Sequence, residues 1–383
     1  MISNHYVYGR KSQLPIILKI DTSLPGVNAK SFLIPTTRGD AGNINFYTYR
    51  IDWGDGNSNL GVTGDIEHTY ETDGIYIVKI YGIFPNFYFN NRGDCKRLIE
   101  VVSWGNIDFS LTQTASFFGC SNLIKIASKG IWFNKITSAH SMFSNCGLTE
   151  LPDDMLLSEL IIGGTNNTGG GIFNNCKLTS LPPLMKLDKL TSGYSMFAGN
   201  FFKTLPLEMT LPNAINTGYM FFNNILNSLS NLSLPKCTTS DSMFRGNAGI
   251  ISLPNTMLLP ELTNGVGMFA NCKLTSLPPL MTLDNLQISG TGNSNGAMFQ
   301  NNVLTDLPAG MTLKNLNKGV GMFSGNIINT VRYSQLLQDM NLLNSNSNVN
   351  FHAGGSKYNS SATSAKENLT NNKGWTITDS GII

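Results

Sequence analysis

The side chains that could do chemistry in this chain are few and scattered. His5, His68, His140 and His352 form no HExxH-type pair, and His68 is expected to be a turn residue. Cys95, Cys120, Cys146, Cys176, Cys237 and Cys272 include no CxxC pair, so neither a zinc centre nor a dense disulfide framework follows. The closest carboxylate pairs are Asp52 with Asp55 and Asp153 with Asp154, the kind of pair a glycosidase uses. Asp52 and Asp55 are better read as Asx acceptors that shape a turn; a calcium site is the alternative, with few additional oxygen ligands at hand. Asp153 and Asp154 follow Pro152 and are expected to be solvated. No GxSxG elbow, Walker loop or dinucleotide fingerprint occurs, so no catalytic residue, metal or cofactor is expected. Arg38-Gly39-Asp40 and Arg92-Gly93-Asp94 spell the integrin-recognition tripeptide twice, and both read as turns, because so short a motif recurs by chance.

Composition narrows the classes further. Only 13% of the 383 residues are charged, the net charge is +2, and no basic block of five appears, so no nucleic-acid partner is expected. Hydrophobic residues make up 41%, yet no apolar run approaches the ~18 to 20 residues of a membrane-spanning helix. The stretch from Met1 to Lys11 lacks the apolar core and small-residue cleavage site of an export signal, and Pro15 interrupts the first apolar stretch.

The elements that must position any site come from an internal repeat. Met142-Phe143-Ser-Asn-Cys-Gly-Leu-Thr-Glu-Leu-Pro152, Ile172-Phe173-Asn-Asn-Cys-Lys-Leu-Thr-Ser-Leu-Pro182 and Met268-Phe269-Ala-Asn-Cys-Lys-Leu-Thr-Ser-Leu-Pro278 are copies of one pattern. Looser copies surround Phe118, Phe197, Phe221, Phe244, Phe299 and Phe323, and the Phe anchors are separated by 25, 30, 24, 24, 23, 25, 30 and 24 residues. Both intervals of 30 carry Gly/Asn-rich segments, Gly163 to Gly171 and Gly290 to Gly296, which read as loops at one edge. Phe and the leucine pairs that follow (Leu148/Leu151, Leu178/Leu181, Leu274/Leu277, Leu304/Leu307) supply apolar filling that only stacking can bury. Asn145, Asn175, Asn200, Asn223, Asn247, Asn271, Asn301 and Asn326 are expected to form one ladder that satisfies backbone groups. Cys146, Cys176 and Cys272 follow in the same stack as small buried thiols.

The Met-Phe-x-x-Asn-x-Leu-Thr-x-Leu-Pro core over residues 106–333 resembles the BspA-like leucine-rich-repeat family of bacterial surface proteins, related to repeats of mycoplasma lipoproteins. The resemblance implies a solenoid with one short strand per rung, used for adhesion and not catalysis. At about 4.8 Å per strand such a stack would extend roughly 40 Å.

Upstream, Tyr47, Tyr49, Ile51 and Trp53 alternate on one face of a strand before Gly54-Asp55-Gly56 turns the chain, and Ile75 to Tyr81 forms a second alternating strand. Asp52-Trp53-Gly-Asp55-Gly56, His68-Thr-Tyr70 and Gly74-x-Tyr76 are similar to the polycystic-kidney-disease-type (PKD) domain, which implies an immunoglobulin-like β-sandwich. Downstream, Tyr333 to Leu343 and Ser364 to Leu369 have helical periodicity, each followed by a strand, Val349 to His352 and Trp375 to Thr378. The expected fold is mainly β: an N-terminal immunoglobulin-like sandwich, then a leucine-rich-repeat solenoid with short helical segments near the C-terminus. The expected division is an arm over 1–11, the sandwich over 12–85, a bridge over 86–105, the solenoid over 106–333 and capping repeats over 334–383.

Between the paired apolar positions of each copy lie Thr149/Glu150, Thr179/Ser180, Lys203/Thr204, Asn227/Ser228, Thr275/Ser276, Thr305/Asp306 and Asn329/Thr330. On a strand face this ladder would meet a polar partner such as a glycan; the alternative is an ordinary solvated face. Surface-adhesion modules, a weakly charged Asn/Gly/Ser/Thr-rich composition and no visible export signal together imply a phage virion component, structural or host-recognising. Its partners would be other virion proteins and a surface glycan or protein. The alternative is a bacterial cell-surface or secreted adhesin.

Overall fold

The computed structural model describes residues 14–36, 47–106, 109–128, 130–165, 170–292 and 296–383. The N-terminal arm with His5, the first Arg-Gly-Asp tripeptide and parts of both Gly/Asn-rich segments lie outside the described residues.

In the first unit, alternation decides which face is buried. Tyr47, Tyr49, Ile51 and Trp53 are buried while Thr48 and Arg50 between them are exposed, the period of a strand with one face on a core. The strands are β1 (Ile16–Asp21), β2 (Ser31–Ile34), β3 (Thr48–Asp52), β4 (Ser58–Val62), β5 (Ile66–Thr69), β6 (Ile75–Ile83), β7 (Leu98–Ser103) and β8 (Lys125–Ile126). Six of them form one sheet in the order β4-β3-β6-β1-β7-β8, and β2 pairs antiparallel with β5 in a second. The segment 86–105, read from the sequence as a bridge, supplies β7, which pairs antiparallel with β1 and parallel with β8. Because β8 lies in the first repeat, a single sheet runs from the N-terminal unit into the stack.

The turn after β3 is built by its aspartates. Asp52 Oδ1 accepts the Gly54 N–H at 3.0 Å, and Asp55 Oδ1 accepts the Asn57 N–H at 2.9 Å. Asp55 Oδ2 lies 2.7 Å from His68 Nε2, and the His68 ring stacks on Trp53 at 4.9 Å. Burial pushes the Asp55 carboxyl upward, but hydrogen bonds from His68 and Asn57 and the His68 charge outweigh it and bring the group down to about 2. A carboxylate held below its unfolded value of about 3.9 contributes stability that is fully present above that value and is lost as pH falls through the folded one. Urea midpoints read by Trp53 fluorescence should therefore drop between about pH 4 and about pH 2, and Asp55→Asn should flatten that dependence.

The repeats coil into rungs that stack in register. Phe117, Phe143, Phe173, Phe197, Phe221, Phe244, Phe269, Phe299 and Phe323 form one column, with successive ring centroids 5.2 to 5.9 Å apart and planes within 14° of parallel. The first anchor is Phe117 and not Phe118: Phe117 is 1% exposed, and its neighbour is only half-buried. Each offset pair adds roughly 0.5–1.5 kcal/mol beyond area burial. Counting rungs from Phe117, backbone pairing between them is parallel, through Thr112, Ser138, Ile162, Ser192, Asn216, Thr239, Asn264, Ile288, Lys318, Asn350 and Thr376.

The expected asparagine ladder divides into two columns with different duties. Two residues after each Phe stand Gly119, Asn145, Asn175, Gly199, Asn223, Gly246, Asn271, Asn301 and Gly325, all at φ between 53° and 83°. Only Gly and Asn occupy this column because they tolerate the left-handed region. One residue further on, Asn200, Asn224, Asn247, Asn302 and Asn326 are buried and make the ladder. Each Nδ2 donates to the Phe carbonyls of its own and the preceding rung, as Asn302 does to Phe299 and Phe269 at 3.0 and 2.9 Å. Asn145, Asn175, Asn271 and Asn301 therefore shape the bend and do not fill the ladder. Cys146, Cys176 and Cys272 do occupy it, each donating its Sγ–H to the preceding Phe carbonyl at 3.1, 3.1 and 3.4 Å. Burial pushes the Cys176 and Cys272 thiols up to about 12. All six cysteines are free and buried, so none should react with an aromatic disulfide reagent at pH 8 until the chain unfolds.

The C-terminal rungs carry two helices, α1 (Thr330–Leu343) and α2 (Thr363–Glu367). Helix α1 begins ahead of the expected Tyr333 because the Asn329 side chain caps it, accepting the Arg332 N–H at 2.9 Å. It crosses the expected boundary at 333 and buries Leu336, Leu337 and Met340 against the last rungs. Buried Arg332 donates to the carbonyls of Leu307, Pro308 and Met311. Strands Asn350–His352 and Thr376–Thr378 extend the parallel pairing, and Phe351 meets Phe323 edge-on at 78°, where the ring column stops. No helix of the described residues is long and apolar enough to cross a membrane.

Candidate functional site

Two long faces could present side chains to a partner. The first carries the row foreseen from sequence. Thr149, Glu150, Thr179, Ser180, Lys203, Thr204, Asn227, Ser228, Thr275, Ser276, Thr305 and Asp306 are all exposed between buried apolar neighbours. They do not lie on the parallel strand column. Their segment is joined to the next rung by isolated backbone bonds, such as Lys177 N–H to the Leu148 carbonyl at 2.9 Å and Asn227 N–H to the Lys203 carbonyl at 2.9 Å. Pro152, Pro182, Pro206, Pro254, Pro278 and Pro308 follow directly and have no N–H to continue pairing.

The row is also less polar than its residue pairs suggested. Phe201, Ile225, Ile251, Val303 and Ile327 stand exposed in the same segment, at 48% to 67% of full accessibility. In the sequence they are hidden by the leucine pattern, which absorbs apolar residues as core. Glu150 sits apart from the others, lining a groove of about 650 Å³ with Glu100, Lys125, Ile126 and Leu151 where the N-terminal sheet meets the rungs. Lys125 is engaged there with Glu100 at 3.7 Å.

The second face is the parallel column itself, with its distinctive side chains three residues before Phe. That position is His140, Gly170, Tyr194, Gly218, Asp241, Val266, Gly296 and Val320 in successive rungs. The core positions around it hardly vary, so aligned copies would have revealed the outliers Tyr194 and Asp241. Tyr194, of rung four, lies 5.5 Å from Tyr219 of rung five, and Tyr219 meets Phe222 edge-on at 5.5 Å. Arg245 of rung six stands over Phe222 at 5.9 Å. A Cβ on Gly218 would come within 2.9 Å of the Tyr194 ring, so the missing side chain is what lets that ring lie across rung five.

Electrostatics single out Asp241. Its Oδ1 is enclosed and has no hydrogen-bond donor. Burial raises the carboxyl above the ordinary range, against an opposing hydrogen bond from Asn264 of rung seven. Burial, with the charges of Tyr219 and Asp241, likewise raises the Tyr194 hydroxyl. Burial alone holds His140 below the usual histidine value. In the N-terminal unit, Asp52, Trp53 and Asp55 serve the turn described above. No protein-family model, curated protein or solved structure matches this chain.

Proposed function

We propose that this chain is a non-catalytic binding and display protein, in which a PKD-type immunoglobulin-like module carries a leucine-rich-repeat rod of the bacterial surface type. Its place would be the surface of a phage particle, as a structural or host-recognition component. The observation that carries this reading is the unbroken column of parallel Phe rings from Phe117 to Phe323. A column joined by backbone pairing at every step holds its side chains at a fixed repeat, which favours multivalent contact with a repetitive surface polymer or coat. A continuous apolar core lets such a rod stand away from its anchor.

Mass spectrometry of purified particles and of outer-membrane fractions tests the location. The chain is expected in particles; recovery in cell envelopes alone would replace the phage reading by that of a bacterial adhesin. Turnover of polysaccharides by the purified chain would overturn the non-catalytic assignment. Changing Thr179, Lys203, Asn227 and Thr275 together to glutamate should leave stability within about 0.5 kcal/mol per site, since all four are exposed. Any binding that uses this row should fall at least about tenfold, which co-sedimentation with intact host cells would read.

A further inference from the structure

We propose that Tyr194, Tyr219, Phe222, Asp241 and Asn264 form a binding site for a neutral saccharide on the parallel face of rungs four to seven. The proposal rests on the binding reading above and names a ligand class and a place for it. Three aromatic rings cluster across adjoining rungs, Tyr194 tilted 59° to Tyr219 at 5.5 Å and Tyr219 edge-on to Phe222 at 5.5 Å. All three are only partly buried. Ring faces of this kind take the C–H face of a pyranose, which buries apolar area without desolvating its hydroxyls.

The polar half of the site adjoins these rings, the Tyr219 N–H donating to the Asp241 carbonyl at 2.6 Å. Asp241 is acceptor-only when ionised, and its Oδ1 has no donor within the protein. An enclosed acceptor left unpaired costs about 1–3 kcal/mol, a deficit that a sugar hydroxyl removes when the Asp241 side chain turns out toward the rings. Asn264, whose Oδ1 already accepts the Val266 N–H at 3.2 Å, keeps its amide hydrogens for the carboxylate and for a neighbouring hydroxyl. A carboxylate beside an amide thus offers an acceptor and a donor to adjacent hydroxyls. The charge of Asp241 disfavours acidic sugars, while Arg245 is directed to the Phe222 ring at the far end.

The test uses the full chain on a printed panel of neutral hexose, N-acetylhexosamine and uronic-acid oligosaccharides, followed by calorimetric titration of the best neutral binder. Tyr194→Ala and Asp241→Asn are each expected to weaken that binder at least about tenfold, with unchanged circular dichroism and thermal midpoint. Gly218→Ala should act alike, because its Cβ meets the Tyr194 ring. If either variant loses its fold, saturation-transfer NMR on the wild type decides, with saturation of aromatic protein protons expected to reach the ring C–H protons of the saccharide. Binding of uronic acids alone, or neutral binding that survives both substitutions, overturns the proposal. Binding to intact host cells without any saccharide on the panel also overturns it and leaves the display reading standing. Failure to bind either cells or saccharides sinks both.

Discussion

Replacing Asp94 by alanine is expected to cost the N-terminal unit about 3–5 kcal/mol, the range for removing one partner of a buried ion pair. The Asp94 side chain has no exposed surface, and Arg97, at 3.5 Å, retains 5%. Asp94 Oδ1 accepts the Val27 N–H and Oδ2 accepts the Leu33 N–H, both at 2.9 Å. Arg97 in turn donates to the carbonyls of Leu24, Asn28 and Ser31. Truncating Asp94 strands a guanidinium charge and two backbone donors together, and all of them hold the irregular segment between β1 and β2. The loss should appear as a lower denaturant midpoint for a Trp53 signal, while Arg92→Ala, at an exposed site, should shift it by no more than about 0.5 kcal/mol. A substitution at Asp94 that left the midpoint in place would remove this pair from the fold's determinants. It follows that Arg92-Gly93-Asp94 does not present its aspartate for recognition.

Asn247→Ala should cost about 3 kcal/mol or more. Asn247 is fully buried; its Nδ2 donates to the Phe221 and Phe244 carbonyls at 2.9 and 2.8 Å, and its Oδ1 accepts the Leu226 N–H at 3.0 Å. Three backbone groups would lose their partners with no water at hand, each worth about 1–3 kcal/mol. In a stack of nearest-neighbour contacts the weakened interface lies between rungs five and six, so hydrogen exchange at Leu226 should accelerate ahead of global unfolding. Asn247→Cys should recover part of the loss, since Cys146, Cys176 and Cys272 already fill equivalent slots with one weak donor. Equal destabilisation by alanine and cysteine would show that a thiol does not stand in for the amide at this rung.

These two sites mark how far local pattern could be followed. The repeat period, the Phe and leucine positions and the alternation of Tyr47, Tyr49, Ile51 and Trp53 are written in residue types, because burial on one face imposes a period that any reader of the chain can count. The helices near Tyr333 and Ser364 were visible for the same reason. The split of the asparagines into bend-formers and ladder donors was not, because both columns prefer Asn and differ only in φ and in which rung's carbonyl lies opposite. The anchor expected at Phe118 is Phe117 instead, because only the Phe117 ring stacks on Phe143, and spacing along the chain does not distinguish the two.

The site shows the same division. That exposed hydroxyl and amide side chains recur between apolar pairs follows from order along the chain alone. Whether they share the parallel column is a matter of hydrogen bonding between rungs, and the bonds run instead through the column from Thr112 to Thr376. Sequence by itself determined the period and the core residues, since each depends on a residue and its near neighbours. Only the tertiary structure brought Tyr194, Tyr219, Asp241 and Asn264 side by side. They sit on four different rungs, and their proximity is created by stacking, which no single repeat contains.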